Sequence, residues 1–201
     1  MRQADVFLNS EGDAWFSRNR DKLGERDPVW NAVIATGIKP KRVLEVGCSN
    51  GWRLAKLRDR FGCEVFGVEP SRQAALEAAE KRIPVVQASA ASLAVPGPFD
   101  LVIYGFCLYL ADPSEWLRIA AEGDSVLVAG GHLIIHDFAA TAQPFARHYE
   151  HRDGILSYHF DFANLWLGNP IYHLVTRAIV NDDEMVTVLK KSATTTIPVR
   201  P

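Results

Sequence analysis

The chain has 201 residues and a formal net charge of −2, with 48 % hydrophobic and 23 % charged residues. This composition is ordinary for a globular chain, and the length suits a single domain with a three-layer core. The slightly acidic balance disfavours an extensive nucleic-acid interface, which usually needs a basic surface, so we expect no nucleic-acid partner.

Cysteine usage and hydropathy set the expected compartment. The three cysteines, Cys48, Cys63 and Cys107, are odd in number and lack metal-site spacing, which predicts reduced thiols. Residues 1–5 lack the apolar run of a signal peptide, and no segment reaches the ~18 consecutive apolar residues of a membrane span. We therefore expect a cytoplasmic protein with no membrane partner, and the sequence does not indicate an oligomeric state.

The first half of the chain predicts helices followed by alternating strands and helices. Residues 5–37 have the apolar positions of one or two helices, and a buried strand follows at 43–46. A helix is predicted over 52–60, a second buried strand over 65–68, and an alanine-rich helix, capped by its first residue, over 71–81. This alternation is typical of an α/β domain.

The second half continues with two strands, over 99–106 and 130–138, before the pattern becomes less regular. Asp112 is followed by a proline and, three residues on, by an acid, which predicts the start of another helix. Helices are then predicted over 144–151 and 162–167.

The last two predicted strands, 171–180 and 184–190, are separated only by Asn181, Asp182 and Asp183. So short a connection indicates an antiparallel hairpin. The expected count is therefore five strand–helix units followed by two strands.

The turn after the first strand is the most informative segment, because it presents backbone groups and a helix N-terminus to a nucleoside ligand. A dinucleotide fingerprint, G-x-G-x-x-G, beginning at Gly47 would need glycines at positions 49 and 52, where the chain has serine and tryptophan. The observed pattern is E-x-G-x-x-x-G from Glu45 to Gly51, with Glu69 ending the next strand. It resembles the class I S-adenosylmethionine-dependent methyltransferases.

The resemblance continues downstream, in order and at the family's spacing. Residues 85–93 are similar to the family segment that packs along the adenine, 99–106 to the fourth strand and 130–138 to the fifth. Two positions depart from the family pattern. Ser49 stands where a glycine is common, and Ser89 stands where an acid often accepts a hydrogen bond from the adenine amino group.

This resemblance implies a three-layer Rossmann-like α/β sandwich with extra N-terminal helices. Its seven-stranded sheet would be mostly parallel, with an antiparallel last strand. We expect one methyltransferase domain over 1–201. Within it, 1–38 would form a helical cap, 39–138 the cofactor-binding core, and 139–201 the substrate-side helices and closing hairpin.

The resemblance further implies that the protein binds S-adenosyl-L-methionine and releases S-adenosyl-L-homocysteine. The methyl group would pass to a hydroxyl or amine of a small-molecule acceptor, for which a sugar or nucleotide-sugar precursor is one candidate. Three other classes stay open: an RNA or protein methyltransferase, a nucleotide-dependent oxidoreductase and a non-catalytic nucleoside-binding module.

The resemblance also assigns cofactor contacts. Glu69 is expected to accept hydrogen bonds from both ribose hydroxyls, Glu45 to contact the amino-acid end, and Ser89 with Ala90 to meet the adenine. For Glu45 the alternative is a structural acid in an ion pair, because a carboxylate in an apolar strand needs a partner or a ligand. The full set of expected cofactor-binding residues is Trp15, Arg18, Glu45, Gly47, Cys48, Ser49, Gly51, Glu69, Pro70, Ser89, Ala90, Tyr104 and Gly105.

Methyl transfer mainly requires alignment of the acceptor, and a base is needed only for a hydroxyl or a protonated amine. The expected catalytic residues are His136, Tyr104 and His151. Further candidate bases are Asp137, Tyr109, His148 and His159. His148 and His151 have the H-x-x-H spacing of a helical metal site, but no further ligand set accompanies them, so we expect no metal.

Two segments have open interpretations. Residues 11–19 are similar to methylases of bacterial surface-sugar biosynthesis, which makes Trp15, Arg18 and Asn19 a candidate lid over cofactor and substrate. The alternative is a packing helix with a solvated charged face. Five aromatic residues after the fifth strand either wall a substrate pocket or pack in the core: Tyr149, Tyr158, Phe160, Phe162 and Trp166.

Overall fold

The fold is given by a computed structural model, which describes residues 2–139, 143–181 and 183–194. Nine strands form two sheets within these residues. They are β1 (Arg42–Val46), β2 (Glu64–Val68), β3 (Val85–Val86), β4 (Phe99–Gly105), β5 (Leu127–Phe138), β6 (Phe145–His148), β7 (Leu156–His159), β8 (Tyr172–Ile179) and β9 (Glu184–Lys191).

The helices precede, connect and cover these strands. They are α1 (Gln3–Val6), a π-helical turn (Phe7–Glu11), α2 (Gly12–Asn19), α3 (Pro28–Thr36), α4 (Trp52–Phe61), α5 (Arg72–Glu80), α6 (Trp116–Val126) and α7 (Asn164–Leu167). Short 3-10 turns occupy Arg20–Lys22, Leu108–Leu110 and Pro113–Glu115. No helix among the described residues is both long and apolar enough to cross a membrane.

The main sheet has seven strands in the order β3-β2-β1-β4-β5-β9-β8. The first five are parallel, and β9 runs antiparallel to both β5 and β8. Val46 lies beside Val68 on one side and Tyr104 on the other, so the carboxyl ends of β1, β2 and β4 meet at one edge. The predicted mostly parallel sheet with an antiparallel last strand is confirmed.

Two apolar layers cover the sheet. Adjacent residues of β1 point to opposite faces, so Val43 packs in the same cluster as Leu54 of α4, whereas Leu44 packs with Ile119 of α6. Helices α3, α4 and α5 contribute to the first layer, and α6 and α7 to the second. Burial of both faces explains why β1 and β4 read as continuous apolar runs.

The helix predicted over 144–151 is wrong. Phe145 to His148 form β6, which pairs antiparallel with β7, from Phe145 opposite His159 to His148 opposite Leu156. The Phe145 ring also stacks on the His159 imidazole, with centroids 4.4 Å apart. This cross-strand pairing is set by residues about ten positions away, which a local pattern does not show.

The expected count of five strand–helix units also needs correction, because the described residues 87–98, between β3 and β4, contain no helix. The start of α6 is close to its predicted place, but Asp112 does not cap it. Its carboxylate instead accepts a hydrogen bond from the backbone N–H of Gln3 at 2.7 Å.

Other boundary predictions are confirmed. Ser71 caps α5 by accepting from the N–H of Ala74 at 3.1 Å. Strands β8 and β9 form the expected antiparallel hairpin, although part of its connection, Asp182, lies outside the described residues.

A buried ion cluster joins β1, α4 and the loop before α3. The Arg53 guanidinium is buried and donates to the carboxylates of Glu45 and Asp27, the latter at 2.8 Å. Lys56 adds a second contact to Asp27 at 3.3 Å. Charges removed from water must be paired in this way, because an uncompensated buried charge is strongly destabilising.

Replacing Arg53 by methionine should lower the free energy of unfolding by about 3–5 kcal/mol, because Glu45 would lose its only hydrogen-bond donor among the described residues. Urea denaturation measures this change. Arg60→Met, at an exposed position of the same helix, is the matched control and should change stability by less than about 1 kcal/mol. Equal effects of the two substitutions would contradict a structural role for the cluster.

Candidate functional site

A cavity opens at the carboxyl edge of the main sheet. Four successive turns form its walls, because the parallel strands β1, β2, β3 and β4 end at this edge. Their contributions are Gly47 and Ser49 after β1, Glu69 and Pro70 after β2, Ala88, Ser89, Ala90 and Ala91 after β3, and Gly105, Phe106, Cys107 and Tyr109 at the end of β4.

The carboxylate of Glu69 is fixed by two backbone hydrogen bonds. Its Oε2 accepts from the N–H of Ser49 at 2.8 Å, and its Oε1 accepts from the N–H of Ser71 at 2.9 Å. Burial raises the pKa of Glu69 to about 7, although both hydrogen bonds oppose that shift. Each carboxylate oxygen has a second lone pair, so Glu69 retains the capacity to accept from two ligand hydroxyls.

The turn after β1 adopts left-handed backbone at Gly47 (φ 74°) and Ser49 (φ 50°). A side chain at Gly47 would place its Cβ 2.7 Å from Cys107 Cβ, so glycine is required there. Ser49 adopts a left-handed conformation that costs a non-glycine residue about 1–3 kcal/mol. Its hydroxyl oxygen is buried without a hydrogen-bond partner among the described residues, which leaves it available to a ligand.

The wall after β3 is apolar and made of small side chains. Ala88, Ala90 and Ala91 face the cavity together with Ile119 of α6. Ser89, a predicted cofactor-binding residue, also lines the cavity and supplies a hydroxyl in place of the carboxylate that is common at this position. Such a flat, apolar wall suits a purine ring, since alanine side chains leave space and bury no polar group.

The charged groups in the cavity are acidic. Among the described residues that line it, the ionisable acids are Glu69 and Glu115, and there is no lysine, arginine or histidine. Glu115 is partly offset by Arg2, whose guanidinium lies 3.4 Å away. This electrostatic environment favours a cationic ligand over a pyrophosphate, which would need basic or backbone donors.

The N-terminal segment covers the cavity. Ala4, Phe7 and Trp15 line it from above the strand ends. Gln3 anchors the segment, because its amide donates to the carbonyls of Leu110 and Leu156 at 2.7 and 3.1 Å. The predicted lid position of Trp15 is therefore consistent with the structure.

A second anchor joins the N-terminal segment to α5. Asp13 accepts from the Ser71 hydroxyl at 2.6 Å and from the N–H of Gln73 at 3.0 Å. Because Ser71 also donates its N–H to Glu69, the cover and the Glu69 carboxylate share one support.

A second cavity adjoins the first and shares Trp15, Phe106 and Tyr109 with it. The Trp15 indole N–H donates to the Tyr109 hydroxyl at 3.3 Å, so the shared residues form a connected partition. The outer wall of this second cavity comes from β6 and the turn that follows, including Arg147, His148, Tyr149, Glu150 and His151.

Several predicted cofactor residues do not line the cavity. Glu45 is 1 % exposed and pairs with Arg53, which is the structural alternative that the sequence left open. Cys48 and Gly51 lie beneath the turn and pack against core side chains such as Ile83. The predictions of direct cofactor contacts for these three residues are not supported by the geometry.

Arg18 also lies outside the cavity lining. Its guanidinium donates to the buried carboxylate of Glu11 and, at 2.9 Å, to the hydroxyl of Tyr149. It therefore ties the N-terminal segment to the turn after β6 instead of facing the cofactor cavity.

Tyr104 was predicted as both a catalytic and a cofactor-binding residue, and the structure contradicts both roles. The side chain is fully buried, its hydroxyl donates to the carbonyl of Ile119 at 3.2 Å, and its ring packs on Trp166. Along β4 the side chain of Tyr104 points into the core, whereas Gly105, another predicted cofactor-binding residue, lines the cavity.

His136 and Asp137 do not act as accessible bases. His136 is buried behind Phe106 with its Nε2 3.3 Å from Glu184, and burial, with a contribution from Arg53, lowers its pKa to about 4. Asp137 accepts from three consecutive backbone N–H groups after β4, and burial raises its pKa to about 7. Neither residue lines the cofactor cavity or the adjoining second cavity.

Of the three remaining candidate histidines, one is buried and two line the second cavity. His159 is buried between the rings of Phe138 and Phe145, so the prediction of a base there is wrong. His148 and His151 both line the second cavity, from β6 and a turn instead of a helix. Among the described residues, no group of three His, Cys, Asp or Glu side chains is arranged to hold a metal ion.

The aromatic residues after β5 have different roles. Phe162 and Trp166 are core residues, and Tyr158 and Phe160 pack against Trp116. Tyr149 lines the second cavity. Sequence reasoning missed the contributions of Ala4, Phe7, Phe106, Glu115 and Arg147, because none of them belongs to a motif with a recognisable spacing.

The strand order, the turn after β1 and the fixed carboxylate after β2 define a Rossmann-like nucleoside-binding domain. Residues 43–131 match the family model of a methyltransferase domain. The match and the fold agree with the resemblance to class I S-adenosylmethionine-dependent methyltransferases. No curated protein gives a significant match to the sequence.

Solved structures share the fold at low sequence identity. The chain is similar to the 1,6-didemethyltoxoflavin-N1-methyltransferase of Burkholderia thailandensis, solved with 1,6-didemethyltoxoflavin and S-adenosylhomocysteine, at 20% identity and a TM-score of 0.75, covering 94% of this chain and 88% of that one. It is also similar to the N-methyltransferase NodS of Bradyrhizobium japonicum, at 18% identity and a TM-score of 0.63, covering 90% and 98%. DhpI, solved with S-adenosylhomocysteine, gives 16% identity and a TM-score of 0.67, covering 96% of each chain.

The stability of the protein should depend on pH through Glu69. Its pKa falls from about 7 in the folded chain to its ordinary 4.5 on unfolding, so the folded state binds more protons between these values and loses stability as pH rises. His136, with its lowered pKa, acts in the opposite direction, so wild type must be compared with a variant. From about pH 5 to about pH 8, the stability advantage of wild type over Glu69→Gln should shrink by on the order of 1–3 kcal/mol.

Urea denaturation at the two pH values measures this difference. Glu80→Gln, at an exposed position of α5, is the matched control and should follow wild type at both values. A wild-type advantage that is the same at both pH values would show that Glu69 does not hold its proton in the folded chain.

Proposed function

We propose that the protein is an S-adenosylmethionine-dependent methyltransferase that methylates a hydroxyl or amine of a small molecule. The observation that carries the proposal is the Glu69 carboxylate, held at the cavity edge by the N–H groups of Ser49 and Ser71. A fixed bidentate acceptor beside an apolar wall suits the ribose and adenine of a nucleoside. The solved relatives with bound S-adenosylhomocysteine support the same cofactor for this chain.

Each wall of the cavity has a proposed role in cofactor binding. Glu69 accepts from the ribose hydroxyls, and the hydroxyl of Ser49 supplies a further polar contact. Ala88 to Ala91 pack along the adenine, with Ser89 in place of the usual acid. Pro70 and Gly105 complete the lining near the strand ends.

When bound, S-adenosylmethionine supplies an electrophilic methyl group on its sulfonium. The acidic lining of the cavity, from Glu69 and Glu115, favours that cationic ligand. Trp15 covers the cavity and excludes water, which would otherwise compete for the acceptor's position.

The second cavity is proposed as the acceptor site, because it shares its inner partition with the cofactor cavity. His151 lines this cavity and is the proposed proton acceptor for a hydroxyl or protonated amine. The Burkholderia thailandensis relative was solved with 1,6-didemethyltoxoflavin and S-adenosylhomocysteine bound, which supports a small-molecule acceptor for this chain.

The acidic lining and the second cavity favour a methyltransferase over an oxidoreductase and over a non-catalytic nucleoside-binding module. A nicotinamide dinucleotide would place a pyrophosphate beside Glu69 and Glu115, and no basic side chain faces the cavity among the described residues. A non-catalytic nucleoside-binding module would not need the adjoining second cavity. The methyltransferase reading accounts for both cavities.

Purified protein should be stabilised by S-adenosylmethionine and S-adenosylhomocysteine but not by NAD. A ligand at a hundredfold its Kd adds about 2.7 kcal/mol, which is readily measured as a shift in Tm. Glu69→Gln should weaken S-adenosylhomocysteine binding about ten- to a hundredfold by calorimetry, because an amide NH2 replaces one of the two oxygens that accept hydrogen bonds.

Glu80→Gln is the matched control and should bind like wild type. The absence of stabilisation by either ligand would refute the proposed activity. Normal affinity in Glu69→Gln would refute only the ribose-binding role of that residue.

Trp15→Ala should lower the affinity for S-adenosylhomocysteine about tenfold, because it opens the cover of the cavity and removes an aromatic contact surface. Arg20→Ala, at an exposed position just beyond α2, should leave the affinity unchanged. Calorimetric titration of both variants compares them directly. An unchanged Kd in Trp15→Ala would mean that this residue is only a packing residue.

A further inference from the structure

The two cavities carry different polar chemistry. The cofactor cavity is acidic, whereas the second cavity is lined by nitrogen-bearing side chains on β6 and the turn after it: Arg147, His148 and His151. Glu150 is the carboxylate in the same lining, and it is exposed to solvent. Hydrogen-bond donors therefore outnumber carboxylates along this outer wall.

The contacts of the Arg147 guanidinium with the protein use few of its N–H donors. Its guanidinium lies over the Phe138 ring at 5.6 Å, and its contact with Asp183 is 3.8 Å long between two half-exposed side chains. Such a screened surface pair contributes little. Because a guanidinium carries five N–H donors in a planar fork, most of them remain available to a carboxylate from the cavity.

The inner wall is a continuous aromatic surface. The rings of Phe106, Tyr109 and Phe138 contact one another, with centroids 5.2 Å (Phe106–Tyr109), 4.7 Å (Phe106–Phe138) and 5.1 Å (Tyr109–Phe138) apart. All three rings line the second cavity, and the first two also line the cofactor cavity. A planar ring packed on this surface would lie beside Phe106 and Tyr109, which also line the cofactor cavity.

We propose that the acceptor is a planar aromatic molecule that carries a carboxylate. Its ring packs on Phe106, Tyr109 and Phe138, and its carboxylate meets Arg147 and the two histidines of the outer wall. This inference rests on the proposed function, since it assigns the substrate class of the second cavity. The opposite arrangement, with a cationic group outward, would leave the Arg147 guanidinium facing a like charge.

Calorimetric binding to the complex with S-adenosylhomocysteine tests the proposal with four probes. They are para-hydroxybenzoate, its neutral isostere para-hydroxybenzamide, the non-aromatic anion cyclohexanecarboxylate and the cation para-hydroxybenzylamine. The carboxylate with the aromatic ring should bind at least about tenfold more tightly than each of the other three. Equal binding of the amide or the amine overturns the anionic group, equal binding of the cyclohexane acid overturns the aromatic ring, and no binding of any probe overturns the proposal as a whole.

Arg147→Gln should abolish the preference for the carboxylate over the amide, which is about tenfold in wild type. Arg152→Gln, at an exposed position of the same hairpin outside the cavity lining, is the matched control and should retain it. A preference that survives in Arg147→Gln also contradicts the proposal. Because S-adenosylhomocysteine affinity is measured first, a failure of the proposed function appears as loss of that binding, whereas a failure of this inference leaves it intact.

Discussion

The carboxylate of Asp137 is 3 % exposed and accepts hydrogen bonds from the backbone N–H groups of Cys107, Leu108 and Tyr109. The N–H groups of a tight turn have no partner within the turn, and a buried one left unpaired costs about 1–3 kcal/mol. Asp137 therefore fixes the turn after β4, which supplies Phe106 and Tyr109 to both cavities. The relative placement of the two cavities depends on that turn.

Glu69 also fixes a turn by accepting backbone hydrogen bonds. It joins the turn after β1 to the start of α5 through the N–H groups of Ser49 and Ser71. Both carboxylates are held by backbone donors without an ion pair, and burial raises the pKa of each to about 7. Glu45 is different, because Arg53 compensates its charge directly. Glu69 therefore keeps free lone pairs at the cavity edge, whereas Glu45 is committed to an ion pair in the core.

The parts of the fold with strong local patterns were predictable. The apolar runs of β1, β2, β4 and β5 and the cap at Ser71 follow from burial on both faces and from helix-end chemistry, so they are visible in a single sequence. The strand β6 was not, because its extended form depends on pairing with β7 and on the stacking of Phe145 on His159. The missing helix after β3 had no local signal either, since residues 88–91 are alanine-rich, a composition that favours helices.

The site was predictable to the extent that the backbone makes it. The turn glycines and Glu69 follow from motif spacing. The direction of a side chain does not: Tyr104 lies in the core and Gly105 lines the cavity, although the two residues are adjacent in β4. The partition between the cavities had no motif at all, because Trp15 reaches it from a helix more than ninety residues before Tyr109. A conformational change in the N-terminal cover would therefore alter both cavities at once. This coupling is a direct consequence of building one partition from two distant segments.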